Sequence, residues 1–225
     1  FCPLAKEVVL CFGFCSDGGV KALRIITPAY YSTKEDMTCN IGNPAPLGLL
    51  AFAMTTAMLM YVDTGWVESE FEAVVVGYAL FFGGVGQILV AIFEILKGSS
   101  FSFAVFGSYG AFWLGWGFVQ VESHRTTSEW SDFSYPNGKA AYLAQWGMLS
   151  ACFFIITLRK NICLITIFAL LTTTFFLLSA AAGAGSDETK KVAGYFGFLT
   201  ALGAFYTGVA ELINEQWGRD ILPGL

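Results

Sequence analysis

The sequence predicts an all-α membrane protein of six transmembrane helices per protomer, with both termini in the cytosol. Three observations carry this. Charged residues make up 13% of the chain, where soluble domains carry about 25%. Hydrophobic residues reach 56% of the 225 residues and mean hydropathy is +0.63, more apolar surface than a water-soluble chain of this size can cover. The apolar residues also come in continuous blocks instead of alternating, which favours spanning helices over a barrel.

The elements justify themselves in order. Residues 1–42 read as a tail, cytosolic or on the membrane surface. The apolar run Val8–Phe14 is too short to span, Gly18-Gly19 breaks it, and Ser32–Asn40 is polar. One helix lying on the membrane surface suits that pattern. Residues 43–225 form the six-helix domain, with spans at Leu47–Val62, Ala73–Leu96, Phe101–Val121, Ala140–Leu158, Ile162–Ala184 and Val192–Ile213. A span needs about 20 residues, so the first is extended by the turn before it.

Tight links at Lys97-Gly98 and Arg159-Lys160 make the helices on either side antiparallel neighbours. The link Glu122–Lys139 is longer and polar, with a turn signal at Tyr135-Pro136-Asn137-Gly138. Lysine and arginine gather in the tail and the links on its side (Lys6, Lys21, Arg24, Lys34, Lys97, Arg159, Lys160, Arg219), whereas the first opposite loop carries Asp63, Glu68, Glu70 and Glu72 and no base. The excess of bases marks the cytosolic side and puts both termini there.

Several function classes drop out. No basic patch interleaves with aromatics, so no nucleic-acid partner is expected. His124 is the single histidine, and no nucleophile–base pair, phosphate-binding glycine loop or metal motif accompanies it. The expectation is no enzyme, no cofactor and no metal. Cys11 and Cys15 lack a second ligand pair, so the six cysteines (2, 11, 15, 39, 152, 163) read as free thiols.

Polar groups inside the spans mark where chemistry could sit. Gly83, Gly84 and Gly86 allow close helix approach. Gln87 beside them needs a partner or a water-lined cavity. Glu94 and Glu211 fall near the cytosolic ends of the second and sixth spans. They read either as solvated interfacial carboxylates or as a proton relay or structural clamp at a pore mouth. Trp66, Trp116, Trp130, Trp146 and Trp217 fit an interfacial belt.

One stretch goes beyond these signals. Asn43-Pro44-Ala45-Pro46-Leu47-Gly48-Leu49 precedes the first span. Pro46 suits the first helical position and Asn43 can cap the freed amides. This block resembles the signature of the acetate uptake transporter family, which includes bacterial succinate–acetate permeases and fungal ammonia and acetate exporters. Phe82-Gly83-Gly84 with Gln87 and Glu94, the run Phe106–Trp113, and Glu211–Arg219 followed by Leu222-Pro223 match in order. The similarity runs from Asn43 to Pro223.

The resemblance implies a homohexamer embedded in lipid. Each protomer would have its own pore for acetate and related small monocarboxylates, with succinate a further candidate. It also implies a hydrophobic gate of one Phe, one Tyr and one Leu, falling on Phe52, Tyr109 and Leu171. Asn43, Thr55, Gln87 and Trp113 are the expected substrate contacts, with Tyr109 adding a hydrogen bond; Glu94 and Glu211 are the expected relay or structural carboxylates. The helix start at Pro46–Gly48 would offer amides and a positive dipole to a carboxylate. An acid with a pKa of roughly 4.3 is mostly ionised at neutral pH, so proton coupling or passage as the neutral acid fits an apolar gate. The alternatives are an ammonia- or urea-type neutral-solute channel and a non-transporting structural subunit. The plasma membrane is the default location, an organelle membrane the alternative.

Overall fold

The computed structural model describes residues 42–125 and 136–225. The tail, with its expected surface helix and four of the cysteines, lies outside the described residues, as do Trp130 and the side chain of His124. Among the described residues the structure is six helices joined by short links.

The first helix, α1 (Ala45–Thr64), begins one residue before the expected proline start, with Pro46 at its second position. The missing N–H costs nothing in a first turn, where amides have no intrahelical partner. Asn43 Oδ1 accepts from the Ala45 amide at 3.4 Å, and Gly65 closes the helix in the left-handed region at φ 75°.

The second helix, α2 (Ser69–Leu96), departs from the regular span expected. A 3₁₀ turn opens it, and Ala79–Gly86 is π-helical before α geometry resumes at Gln87. Its glycines explain this. A Cβ on Gly84 would lie 2.6 Å from the Ala79 carbonyl oxygen and 2.6 Å from Leu114, so only glycine admits the wide turn at that position.

Next come α3 (Ser100–Arg125), α4 (Pro136–Thr157), α5 (Ile162–Ala184) and α6 (Asp187–Trp217). The bounds of α5 match the expected span. Asn161 caps it, accepting from Leu164 N at 2.9 Å, and Gly185 ends it at φ 61°. Helix α6 reaches 31 residues, well beyond the expected Val192–Ile213. Ser186 caps it, and Asp187 and Glu188 occupy its first turn, where acids suit the helix dipole. The polar ends stay helical although the apolar stretch stops. Helices α3 and α4 likewise take up both flanks of the expected long link, leaving only 126–135 between them.

Helices α1, α2, α4, α5 and α6 are long and apolar enough to cross a membrane. Helix α3 has 26 residues, diluted by its glycines, serines and tryptophans. The main packing pairs are α1 with α6, α4 with α5, α5 with α6, and α2 with α3. Small residues make these approaches close. Ala193, Gly194, Gly197, Ala201, Ala204 and Gly208 bury one stripe of α6 against α1, and a Cβ on Gly208 would lie 3.1 Å from the Pro46 carbonyl. This suits a lipid phase, where contact between backbones replaces hydrophobic drive. Buried Thr200 and Thr207 return their hydroxyls to carbonyls four residues back, at 2.9 and 2.7 Å.

After Gly218 the chain folds back as a strap. Asn214 Oδ1 accepts from Ile221 N and Leu222 N at 2.8 and 2.9 Å. Tyr206 donates to Pro223 O at 2.8 Å, and Cys163 N donates to Gly224 O at 3.3 Å. The strap ties the end of α6 to the start of α5. Cys152 and Cys163 are free thiols. Trp66 and Trp217 are exposed, as a belt requires, but Trp116 and Trp146 pack against the core. Their aromatic neighbours draw them inward from the interface expected.

Candidate functional site: a lane between two vestibules

Three helices present one face each to a shared axis, and they keep step. Ala45, Phe52 and Leu59 on α1 are spaced by seven, as are Ser102, Tyr109 and Trp116 on α3, and Leu164, Leu171 and Leu178 on α5. Seven residues make about two turns, so each set lies along one line of its helix. The backbones of α1 and α3 stay well apart, which leaves space between these faces for side chains such as Phe52 and Tyr109 to meet.

That space is divided. Ala45, Ser102 and Leu164 line a cavity of about 110 Å³, and one step on so do Phe52, Tyr109 and Leu171. It has room for several waters. A further step on, Leu59, Trp116 and Leu178 line a separate vestibule of about 370 Å³. The cavity also borders a second, wider vestibule of about 680 Å³ at the Asn43 end. The trio expected as a gate therefore stands between the two vestibules.

All three members are buried. The rings of Phe52 and Tyr109 lie 5.7 Å apart, and Tyr109 also meets Phe153 at 6.1 Å and Phe168 at 6.3 Å. Tyr109 was expected to offer a hydrogen bond along the path, yet its hydroxyl lies 2.8 Å from Ser150 Oγ. Ser150 in turn donates to Trp146 O at 2.7 Å. So Tyr109 donates to Ser150 and presents its ring to the lane. The Ser150→Ala variant should leave that buried hydroxyl without a partner and cost about 1–3 kcal/mol. Adding Tyr109→Phe should recover most of the loss, read as thermal unfolding midpoints in detergent. A double variant no more stable than Ser150→Ala would show that the bond is not what holds the ring.

A second apolar layer was not foreseen. Phe112 and Phe175, three and four residues past Tyr109 and Leu171, meet edge-on at 5.5 Å, and Phe112 lies 5.0 Å from Trp146. Both line the 370 Å³ vestibule. The helical repeat counted from the expected gate residues would have found them.

The polar candidates divide. Gln87 lines the cavity, is 1% exposed, and its Oε1 has no hydrogen-bond partner among the described residues. Asn43 and Glu211 are brought together: Asn43 Nδ2 donates to Glu211 Oε2 at 2.8 Å, and Lys97 Nζ donates to Asn43 Oδ1 at 2.9 Å. Glu94 borders the same vestibule but is 2% exposed, which overturns its reading as a solvated carboxylate. Thr55 and Trp113 line none of these spaces. Thr55 instead fills the notch at Gly83 between α1 and α2, and Trp113 packs on Phe112 and Trp116.

At the far vestibule Lys190 pairs with Asp63 at 3.1 Å, and Gln120 donates to Glu72. Sequence reading missed these contacts, because each joins side chains on two different helices, α1 with α6 and α2 with α3. Among the described residues no group of three or more His, Cys, Asp or Glu could hold a metal ion.

Comparison with known proteins bears on the family and the fold. The GPR1/FUN34/yaaH family model matches residues 27–219, which take in all six helices. The chain belongs to the GPR1/FUN34/yaaH family. This bears out the resemblance carried by Asn43–Leu49 and the blocks after it. Within this family the chain is 40% identical over 190 residues to a protein of Methanothermobacter thermautotrophicus, covering 80% of this chain and 90% of that one. It is 32% identical to the succinate-acetate/proton symporter SatP of Escherichia coli, covering 81% and 95%. It is 27% identical to acetate permease A of Emericella nidulans, covering 87% and 69%. The solved structure of the bacterial acetate channel SatP superposes with a TM-score of 0.76 at 32% identity, over 82% of this chain and 99% of that one. As a member of the GPR1/FUN34/yaaH family with this fold, the chain is an integral membrane protein.

Proposed function

We propose that this protein carries acetate and related small monocarboxylates, succinate among them, across the membrane through one lane in each six-helix protomer. The observation that supports this most is the common seven-residue step of α1, α3 and α5. It sets Phe52, Tyr109 and Leu171 between two vestibules in a chain similar to an acetate channel. Phe52, Tyr109 and Leu171 act as the size gate and Gln87 as a hydrogen-bonding contact in the cavity. Glu211, held by Asn43, which Lys97 holds in turn, is structural at the inner mouth. The protein works as a transporter and not as an enzyme. Residues 43–225 are the transporting domain. The protein assembles as a homohexamer in the plasma membrane with both termini cytosolic.

The apolar gate bears on the charge state of the cargo. Stripping an ionised carboxylate of water costs several kcal/mol unless partners replace it, and two aromatic layers supply none. Acetate therefore passes the gate together with a proton.

Uptake of labelled acetate into proteoliposomes, with and without an inward proton gradient, tests this. Stimulation by the gradient is the expected result. Saturable flux indifferent to the gradient would indicate a channel for the anion, and flux of ammonia or urea without acetate would replace the reading with a neutral-solute channel. No flux from folded protein would leave a structural subunit.

A further inference from the structure

The 110 Å³ cavity and the 680 Å³ vestibule share a neck formed by Ala45, Phe101, Ser102, Lys160 and Glu211. Two charged groups around it, Glu211 and Lys97, are tied to Asn43. Glu211 is held by Asn43 at 2.8 Å, and Lys97 reaches the same asparagine at 2.9 Å. Glu94 lines the vestibule but is only 2% exposed. Lys160 has no carboxylate partner among the described residues; its ammonium lies 5.4 Å over the Phe101 ring.

Local structure fixes Lys160 there. Helix α4 ends at Thr157, whose carbonyl accepts from Lys160 N at 2.7 Å, and the cap at Asn161 starts α5 directly after. A second donor faces the same neck. Ser99 Oγ donates to Ser102 Oγ at 2.9 Å, which leaves the Ser102 proton free to be given to a ligand. The cavity behind the neck holds the buried acceptor Gln87 Oε1, which has no partner among the described residues.

We propose that Lys160 and Ser102 form a carboxylate-capture site at the neck, where the ionised substrate docks before it enters the cavity. This rests on the transport reading above. The ammonium and the hydroxyl both donate and consume no acceptor, and a carboxylate accepts from both. A lysine at a narrowing mouth also concentrates small anions, an effect that salt weakens. Arg159, beside Lys160 in the chain, borders neither space and serves as the control.

Two measurements test this on the full chain in phosphatidylcholine nanodiscs and vesicles. The first is the rate of reductive methylation of Lys160 by formaldehyde and borane, followed by mass spectrometry. Acetate should slow it at least about threefold while Lys190 is unaffected, and neither acetamide nor chloride at equal concentration should do so. The second is acetate uptake at low ionic strength. Lys160→Gln should raise KM about three- to tenfold with Vmax within about twofold and flatten the salt dependence. Lys160→Arg should restore both, and Arg159→Gln should match the parent.

Uptake with no protection by acetate and a parental KM in Lys160→Gln would overturn the capture site and leave transport standing. Protection without uptake would support the site and sink the transport reading. Equal protection by chloride, or protection only when phosphatidylglycerol is added, would overturn the proposal in favour of simple screening or a lipid contact.

Discussion

Tyr109→Ala should admit longer acids: labelled butyrate uptake, relative to acetate, should rise about tenfold in proteoliposomes. The ring is 2% exposed and fills the space between Phe52 on α1 and Phe168 on α5. Its neighbours are braced without it, Phe168 on Phe153 at 5.9 Å and Phe112 on Phe175 at 5.5 Å. They cannot collapse into the gap, and a void persists where the constriction was. Aromatic-to-alanine changes in such a setting cost about 3–5 kcal/mol of stability, so folding must be verified in parallel. The layer of Phe112 and Phe175 stays closed to larger solutes, and leakage of a sugar should require Tyr109→Ala with Phe112→Ala. Unchanged preference for acetate in a folded Tyr109→Ala protein would remove Tyr109 from the gate.

Gly84→Ala is expected to destabilise the fold by about 1–3 kcal/mol, the usual range for overpacking. The added methyl would sit 2.6 Å from the Ala79 carbonyl oxygen and 2.6 Å from Leu114. Leucine can swing aside, but the carbonyl cannot move without undoing the π turn. Gly77 lies in the same helix with nothing within 4 Å of a Cβ. Gly77→Ala should be neutral or gain a few tenths of a kcal/mol from the better helix former. Thermal midpoints of the two variants in one detergent make the comparison, and equal midpoints would refute the steric argument.

What was legible in the sequence depended on how local its cause was. The bounds of α5 were readable because an asparagine cap, an apolar run and a terminal glycine coincide. The reach of α6 was not, since hydropathy falls at Asp187–Lys191 while helical hydrogen bonding and capping continue. The π segment showed only as a cluster of glycines, which predicts closeness but not which carbonyl needs the room. Of the three positions expected as a gate, Phe52 and Tyr109 followed from motifs and Leu171 from register in a span without one, and the face they share could have been extended by counting sevens. Thr55 and Trp113 shared spans with lane residues yet face α2 and the aromatic core. Lys160, Ser150 and the Asp63–Lys190 pair depend on helices meeting across the bundle, which no single segment encodes.

The shared stride of α1, α3 and α5 bears on how this protein tolerates insertions and deletions. Removing one residue from any of these helices turns every later side chain by about 100° and faces lipid-side groups into the lane. Removing seven from all three keeps each lining residue in place and shortens the lane by about 10.5 Å. Lane length and lane chemistry are therefore separable. A relative suited to a thinner bilayer could lose a whole layer of lining while keeping its gate.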